Sequence, residues 1–138
     1  MTEDGFSISS DKNLKNSIED LSNKYEMFYE NLNPVRFKYN NGRSGRYHTG
    51  FIAQEVHNAI LNSGLDTNEL AAYVKFIKTN KDGASFTSYA LRYEEFISLN
   101  TWQIQKLKPR MTAAEEKIQQ LELEVAELKQ ELATFKNQ

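Results

Sequence analysis

The chain has no cysteine, only 2 prolines, 6 glycines and 2 histidines among its 138 residues. Without a thiol there is no disulfide framework, no cysteine nucleophile and no cysteine-based zinc site, so stability must come from packing or from assembly. His48 and His57 are not at a ligand spacing and have no carboxylate pair beside them, so no metal site is expected, and nothing in the sequence asks for a cofactor. No apolar run approaches the roughly 18 residues of a membrane span, and the start, MTEDGFSISSDKN, lacks the basic and apolar regions of a signal peptide. A soluble chain with no membrane partner is the expectation. Charge of one sign is missing too: 17 Lys+Arg against 19 Asp+Glu leave a formal charge of -2. No net positive field draws the chain to phosphates, which argues against nucleic acid as a main partner.

What is present is unevenly distributed. A mass of 16.0 kDa with 39% hydrophobic and 26% charged residues suits one modest domain, or a smaller domain plus a rod. All the aromatic residues except Phe6 and Phe135 lie between Tyr25 and Trp102. The expectation is therefore a compact body followed by a solvated tail.

Leu14, Ile18, Leu21, Tyr25, Phe28 and Leu32 step by alternating fours and threes, the period of one helical face, and predict a long helix over residues 11–32. Ser10 is placed to cap its start, and Asn33-Pro34 ends it. Val35, Phe37 and Tyr39 then alternate with basic residues, and the glycine-containing stretch Asn40 to Arg46 leads into Tyr47 to Ile52, predicting a β-hairpin. Gln54 to Leu61 predicts a short helix ending near Gly64. A second hairpin is expected from residues 72–78, the turn Asn80-Lys81-Asp82-Gly83, and Ala84 to Tyr89.

From Tyr93 the period becomes that of a heptad. Ile104, Met111, Ile118, Val125 and Leu132 fall at a, and Leu107, Ala114, Leu121, Leu128 and Phe135 at d. The g-to-e pairs Lys117/Glu122 and Glu124/Lys129 are opposite in sign, as parallel coiled-coil strands use. Such a seam needs partner helices, although these a and d residues do not separate dimer from trimer. Pro109 sits at an outward f position, where it removes a backbone bond and predicts a kink. Thr112-Ala113-Ala114-Glu115 also matches a capping box, so a separate helix restarting there is the alternative.

Three segments together resemble a known family. The run Ser10-Asp11-Lys12-Asn13-Leu14-Lys15, the run His48-Thr49-Gly50-Phe51-Ile52-Ala53-Gln54-Glu55-Val56, and Tyr93-Glu94-Glu95-Phe96-Ile97 ahead of a coiled coil look like the S74 peptidase domain. That domain is the C-terminal intramolecular chaperone of phage tail spikes, tail fibres and endosialidases. The resemblance implies a homotrimer that assists folding of an N-terminal passenger, then releases itself by autoproteolysis with a serine-lysine dyad. It makes Ser10 the nucleophile, Lys15 the base and Ser9 to Ser10 the scissile bond, with His48 and Asp11 as possible auxiliaries. Residues 1–9 become a passenger remnant or linker, residues 10–92 the chaperone and autoprotease body, and residues 93–138 the helix and trimerisation segment. The implied trimer contacts are Ile104, Leu107, Met111, Ile118, Leu121, Val125, Leu128, Leu132 and Phe135. The implied setting is the cytoplasm of an infected bacterium during virion assembly, with the domain absent from the mature virion after cleavage.

The chemistry holds without the family. A serine hydroxyl is a poor nucleophile until a neighbour accepts its proton, and an amine does so only when neutral. A lysine with an ordinary pKa near 10.4 must therefore be desolvated or set beside positive charge. The start of a helix would supply that positive end and free N–H groups for an oxyanion. The plainer readings are a capping Ser10, a solvated Lys15, a hydrogen-bonded His48 and a mobile hairpin tip at Arg43 and Arg46 in place of an arm that grips the passenger. The expected fold is α+β: a long N-terminal helix, two β-hairpins with a short helix between them, and a C-terminal coiled coil forming a homotrimer. A non-catalytic trimerisation module shares everything except processing. The related domain of membrane-tethered eukaryotic transcription factors is a further relative, which a downstream transmembrane helix would favour.

Overall fold

The computed structural model describes residues 9–68 and 70–138, so residues 1–8 of the expected passenger remnant lie outside the described residues. A short 3₁₀ turn, Lys12–Leu14, opens an exposed arm. It is followed by α1 (Asn23–Glu30), β1 (Val35–Phe37), β2 (His48–Gly50), α2 (Ala53–Asn62), β3 (Tyr73–Thr79), β4 (Ser85–Leu91) and α3 (Glu95–Lys136). The architecture is α+β with two separate antiparallel sheets. In the first, Val35 faces Gly50 and Phe37 faces His48. In the second, Tyr73 faces Leu91 and Thr79 faces Ser85. No helix among the described residues is long and apolar enough to cross a membrane.

The long N-terminal helix is not what forms. Of this stretch only Asn23–Glu30 is α-helical, with Ser22 at the N-cap position but making no side-chain capping bond, and residues 15–22 carry no helix. The cause lies in what the apolar stripe has to pack on. Leu21, Tyr25, Phe28 and Leu32 reach the core, whereas Leu14 and Ile18 remain 73% and 65% exposed. Helical periodicity stabilises a helix only where a surface receives the face, and Asn13, Asn16 and Ser17 add little intrinsic propensity. Ser17 takes a positive φ of 50°, a left-handed residue at which no right-handed helix continues.

The core is formed by Phe28 from α1, Val56, Ala59 and Ile60 from α2, Leu70 and Ala72 from the connection, and Phe96 and Leu99 from the start of α3. Phe51 stacks on Phe96 at 5.1 Å, and Phe28 lies 6.4 Å from the same ring. Lys106 pins α3 to α1 by pairing with Glu26 while lying over the Trp102 ring at 4.6 Å. Helix α2 ends in a Schellman motif: Leu65 N–H donates to Ile60 O and Gly64 N–H to Leu61 O, with Gly64 at φ 70°. The second hairpin turns on Asn80, whose Oδ1 accepts from Asp82 N and Ala84 N.

Helix α3 runs unbroken through Pro109. Thr112 does not start a new helix; its hydroxyl donates back to Lys108 O, as an interior residue's does. Pro109 deprives one carbonyl of its donor on the exposed face, where water replaces it at little cost.

Candidate functional site

The arm brings Ser10 and Lys15 together: Lys15 Nζ donates to Ser10 Oγ at 2.7 Å. A regular α-helix could not make this contact. At about 100° per residue, positions five apart point roughly 140° away from each other. The contact needs the tighter turn that forms instead. Leu14 N–H donates to Asp11 O and Lys15 N–H to Lys12 O, each at 3.1 Å, and Lys15 then leaves the turn in extended conformation (φ -119°, ψ 150°). The expected capping role of Ser10 falls to Asp11, whose carboxylate accepts from Asn13 N–H at 2.9 Å. This releases the Ser10 hydroxyl from backbone duty. It also removes Lys15 from the positive end of an α-helix, because the turn is only three residues long. Both side chains are exposed in the single chain.

The other expected auxiliary, His48, is placed on β2, where its ring stacks on Phe37 at 5.9 Å and meets Tyr39 edge-on at 5.1 Å. Among the described residues it makes no hydrogen bond to Ser10 or Lys15, and its packing suits the structural alternative. The neighbouring Gly50 and Phe51 have a clear architectural reason. Phe51 N–H donates to Tyr93 Oη at 3.0 Å, and the Tyr93 ring stacks on Phe51 at 6.2 Å. A Cβ on Gly50 would overlap that hydroxyl and stand 3.2 Å from Tyr93 Cζ and 3.4 Å from Phe37 Cε1. Glu55 accepts from Asn33 Nδ2 at 3.1 Å, tying α2 to the residue before Pro34. Replacement of Gly50 by alanine is expected to cost about 1–3 kcal/mol by displacing Tyr93. Thermal melting of Gly50→Ala, Tyr93→Phe and the double variant checks this: the double variant should cost less than the sum of the singles, because without the phenol oxygen the severest overlap is gone and the ring has only a few tenths of an ångström to give.

The nine apolar seam residues from Ile104 to Phe135 all stand on α3 and are exposed in the single chain, together with Leu123. At the hairpin loop, Tyr47 is covered by Arg36 at 4.5 Å and by Lys38 at 4.6 Å, so β1 and the residue that follows it supply the cations beside it. Sequence reasoning did not single out the cleft of about 660 Å³ between α2 and the second sheet, lined by Gln54, His57, Asn58, Tyr73, Lys75 and Arg92 among others. His57 and Tyr73 rings lie 5.0 Å apart there, and burial, aided by Tyr89, raises the Tyr73 phenol above its ordinary pKa. Its residues are scattered over three elements with no shared spacing, so no sequence signal marks it. No group of three or more metal-ligating side chains converges among the described residues.

Comparison with known proteins bears on this arrangement. Residues 10–65 match the Peptidase_S74 family, chaperone of endosialidase. The Peptidase_S74 match starts at Ser10 and includes the arm, α1, the first sheet and α2. Among solved structures the chain is similar to a novel intramolecular chaperone, with 20% identity and a TM-score of 0.62 over 73% of this chain and 99% of that one. It is also similar to the carboxy-terminal domain of the bacteriophage T5 L-shaped tail fibre with its intramolecular chaperone domain, with 20% identity and a TM-score of 0.53. That alignment covers 83% of this chain but only 32% of the T5 chain. At this identity the likeness establishes the fold. None of the curated proteins matches the chain. The segment that matches Peptidase_S74 thus lies within a fold shared with these two structures, with the Ser10 and Lys15 pair at its first residues.

Proposed function

We propose that the chain is an intramolecular chaperone that trimerises through α3, templates a passenger joined to its N-terminus, and then frees itself by cutting between Ser9 and Ser10. The observation that carries the reading is the 2.7 Å contact of Lys15 Nζ with Ser10 Oγ at the first residues of the Peptidase_S74 match. Lys15 as the free amine takes the hydroxyl proton while Oγ attacks the Ser9 carbonyl carbon through a five-membered ring. The C–N bond then breaks, Lys15 returns the proton to the departing Ser10 nitrogen, and the acyl group is left as an ester on Oγ. Water, deprotonated by Lys15, hydrolyses the ester to a Ser9 carboxylate and restores the Ser10 hydroxyl. Substrate and enzyme are one chain, so the event occurs once. Exposure of both residues in the single chain supports coupling to assembly: a neighbouring chain or the passenger would supply the desolvation that a neutral lysine needs.

The coupling has a physical rationale. Fibrous passengers have non-local contacts that form slowly and aggregate while incomplete, whereas a helical seam assembles from local contacts and meets the association entropy first. Removal of the template then leaves the passenger kinetically trapped. The proposed setting is the cytoplasm of an infected bacterium during virion assembly. Intact masses under denaturing conditions test the cleavage, using the wild type and Ser10→Ala, each with a longer N-terminal extension. A wild-type product beginning at Ser10 and an uncut Ser10→Ala chain are expected. Two full-length trimeric products would leave a non-catalytic trimerisation module.

A further inference from the structure

Asp11 stands between the two residues of the candidate dyad, yet among the described residues its carboxylate pairs with no cation. Its partner is the backbone: Oδ1 accepts from Asn13 N–H at 2.9 Å while Asp11 itself is extended (φ -61°, ψ 133°). This is an Asx turn. It fixes the start of the 3₁₀ turn whose two backbone bonds, Leu14 N–H to Asp11 O and Lys15 N–H to Lys12 O, fold the arm back on itself. Among the described residues no buried side chain anchors the arm in this shape, because Leu14 and Ile18 are exposed and no arm residue between Asp11 and Asp20 is buried. The approach of Lys15 to Ser10 therefore depends on a turn that one side-chain oxygen initiates.

We infer that Asp11 is a positioning residue for the Ser10 and Lys15 pair, acting through its role as a backbone acceptor and not through its charge. The inference rests on the cleavage reading above and adds the device that assembles the pair. Among the described residues the charge has no cation to act on, and the carboxylate's bond is to the Asn13 backbone N–H. The acceptor geometry is what an asparagine reproduces and an alanine does not.

The test follows the appearance of the product beginning at Ser10 after pulse-labelled cell-free synthesis of the full chain with an N-terminal extension. Asp11→Ala is expected to cleave about 5- to 30-fold more slowly, the population penalty of losing such a cap. Asp11→Asn is expected to stay within about 3-fold of wild type, because its side-chain oxygen accepts the same bond. Amide exchange at Asn13 supplies a readout independent of cleavage: protection retained in the wild type and Asp11→Asn, and lost in Asp11→Ala. Melting should be equal in all three, since the arm lies off the core. Wild-type cleavage rates in Asp11→Ala, or an Asp11→Asn chain as slow as Asp11→Ala, would overturn the positioning role while leaving the dyad intact. Cleavage of a Ser10→Ala control, or an uncut wild type, would instead bring down the cleavage reading and this role with it.

Discussion

Replacement of Lys15 by methionine is expected to slow release of the Ser10 product by at least about 10²-fold, the usual contribution of a positioned general base. The more telling variant is Lys15→Arg. It keeps the positive charge, the length and the ability to donate to Ser10 Oγ, but a guanidinium does not give up its proton in proteins and so accepts none. If Lys15 serves only as a solvated cation or a hydrogen-bond donor, the arginine chain should cut like wild type. If it serves as the base, arginine and methionine should be equally inert. The reading is clean because Lys15 is exposed and lies outside the core, so neither change should alter melting. Time courses of intact mass for the three chains decide it, and wild-type rates in Lys15→Arg would remove the base from the mechanism.

The second large effect concerns the seam. Paired substitution of Ile118 and Leu121 by aspartate places charge at adjacent a and d positions, where association would bury it without partners. Stranding such charges costs several kcal/mol, enough to weaken assembly by about 10³-fold. Sedimentation equilibrium is expected to give three times the chain mass for the wild type and a single chain mass for the variant. Leu123→Asp provides the control. Leu123 is 68% exposed and as apolar as its neighbours, but it falls at f, so its aspartate should leave the assembly mass unchanged. Equal masses for all three chains would mean that the stripe is not the association surface.

The elements that sequence reading recovers are those whose signal is local. The second hairpin is set by Asn80 to Gly83, where an asparagine side chain closes the turn and a glycine takes φ 82°. The short helix is bounded by a glycine that the Schellman motif requires, and α3 carries a stripe sustained over many turns. The arm departs from its sequence pattern because periodicity is only half of a helix's requirement. Leu14 and Ile18 continue the period of Tyr25 and Phe28, but period reports which face would be apolar, not whether a surface is there to receive it. The site is a mixed case. Ser10 and Lys15 were legible as a pair from the motif, whereas a helix over residues 11–32 would have pointed them apart. The turn that unites them depends on the short-range chemistry of Asp11. The reason for Gly50 and Tyr93 was not legible, because 42 residues separate Phe51 N–H from the phenol that accepts its bond.

One helix belongs to two parts of the molecule at once. Phe96 and Leu99 anchor the first turns of α3 in the core, and the same uninterrupted rod, about 63 Å long at 1.5 Å per residue, carries the seam to its far end. In the proposed assembly it would therefore work as a handle. A chain gripping the seam one heptad out of step would carry its whole body about 10 Å along the axis, too far for neighbouring bodies to meet at equivalent surfaces. Axial error made at the tail of that assembly would thus be converted without loss into misalignment at the head, some 40 residues upstream.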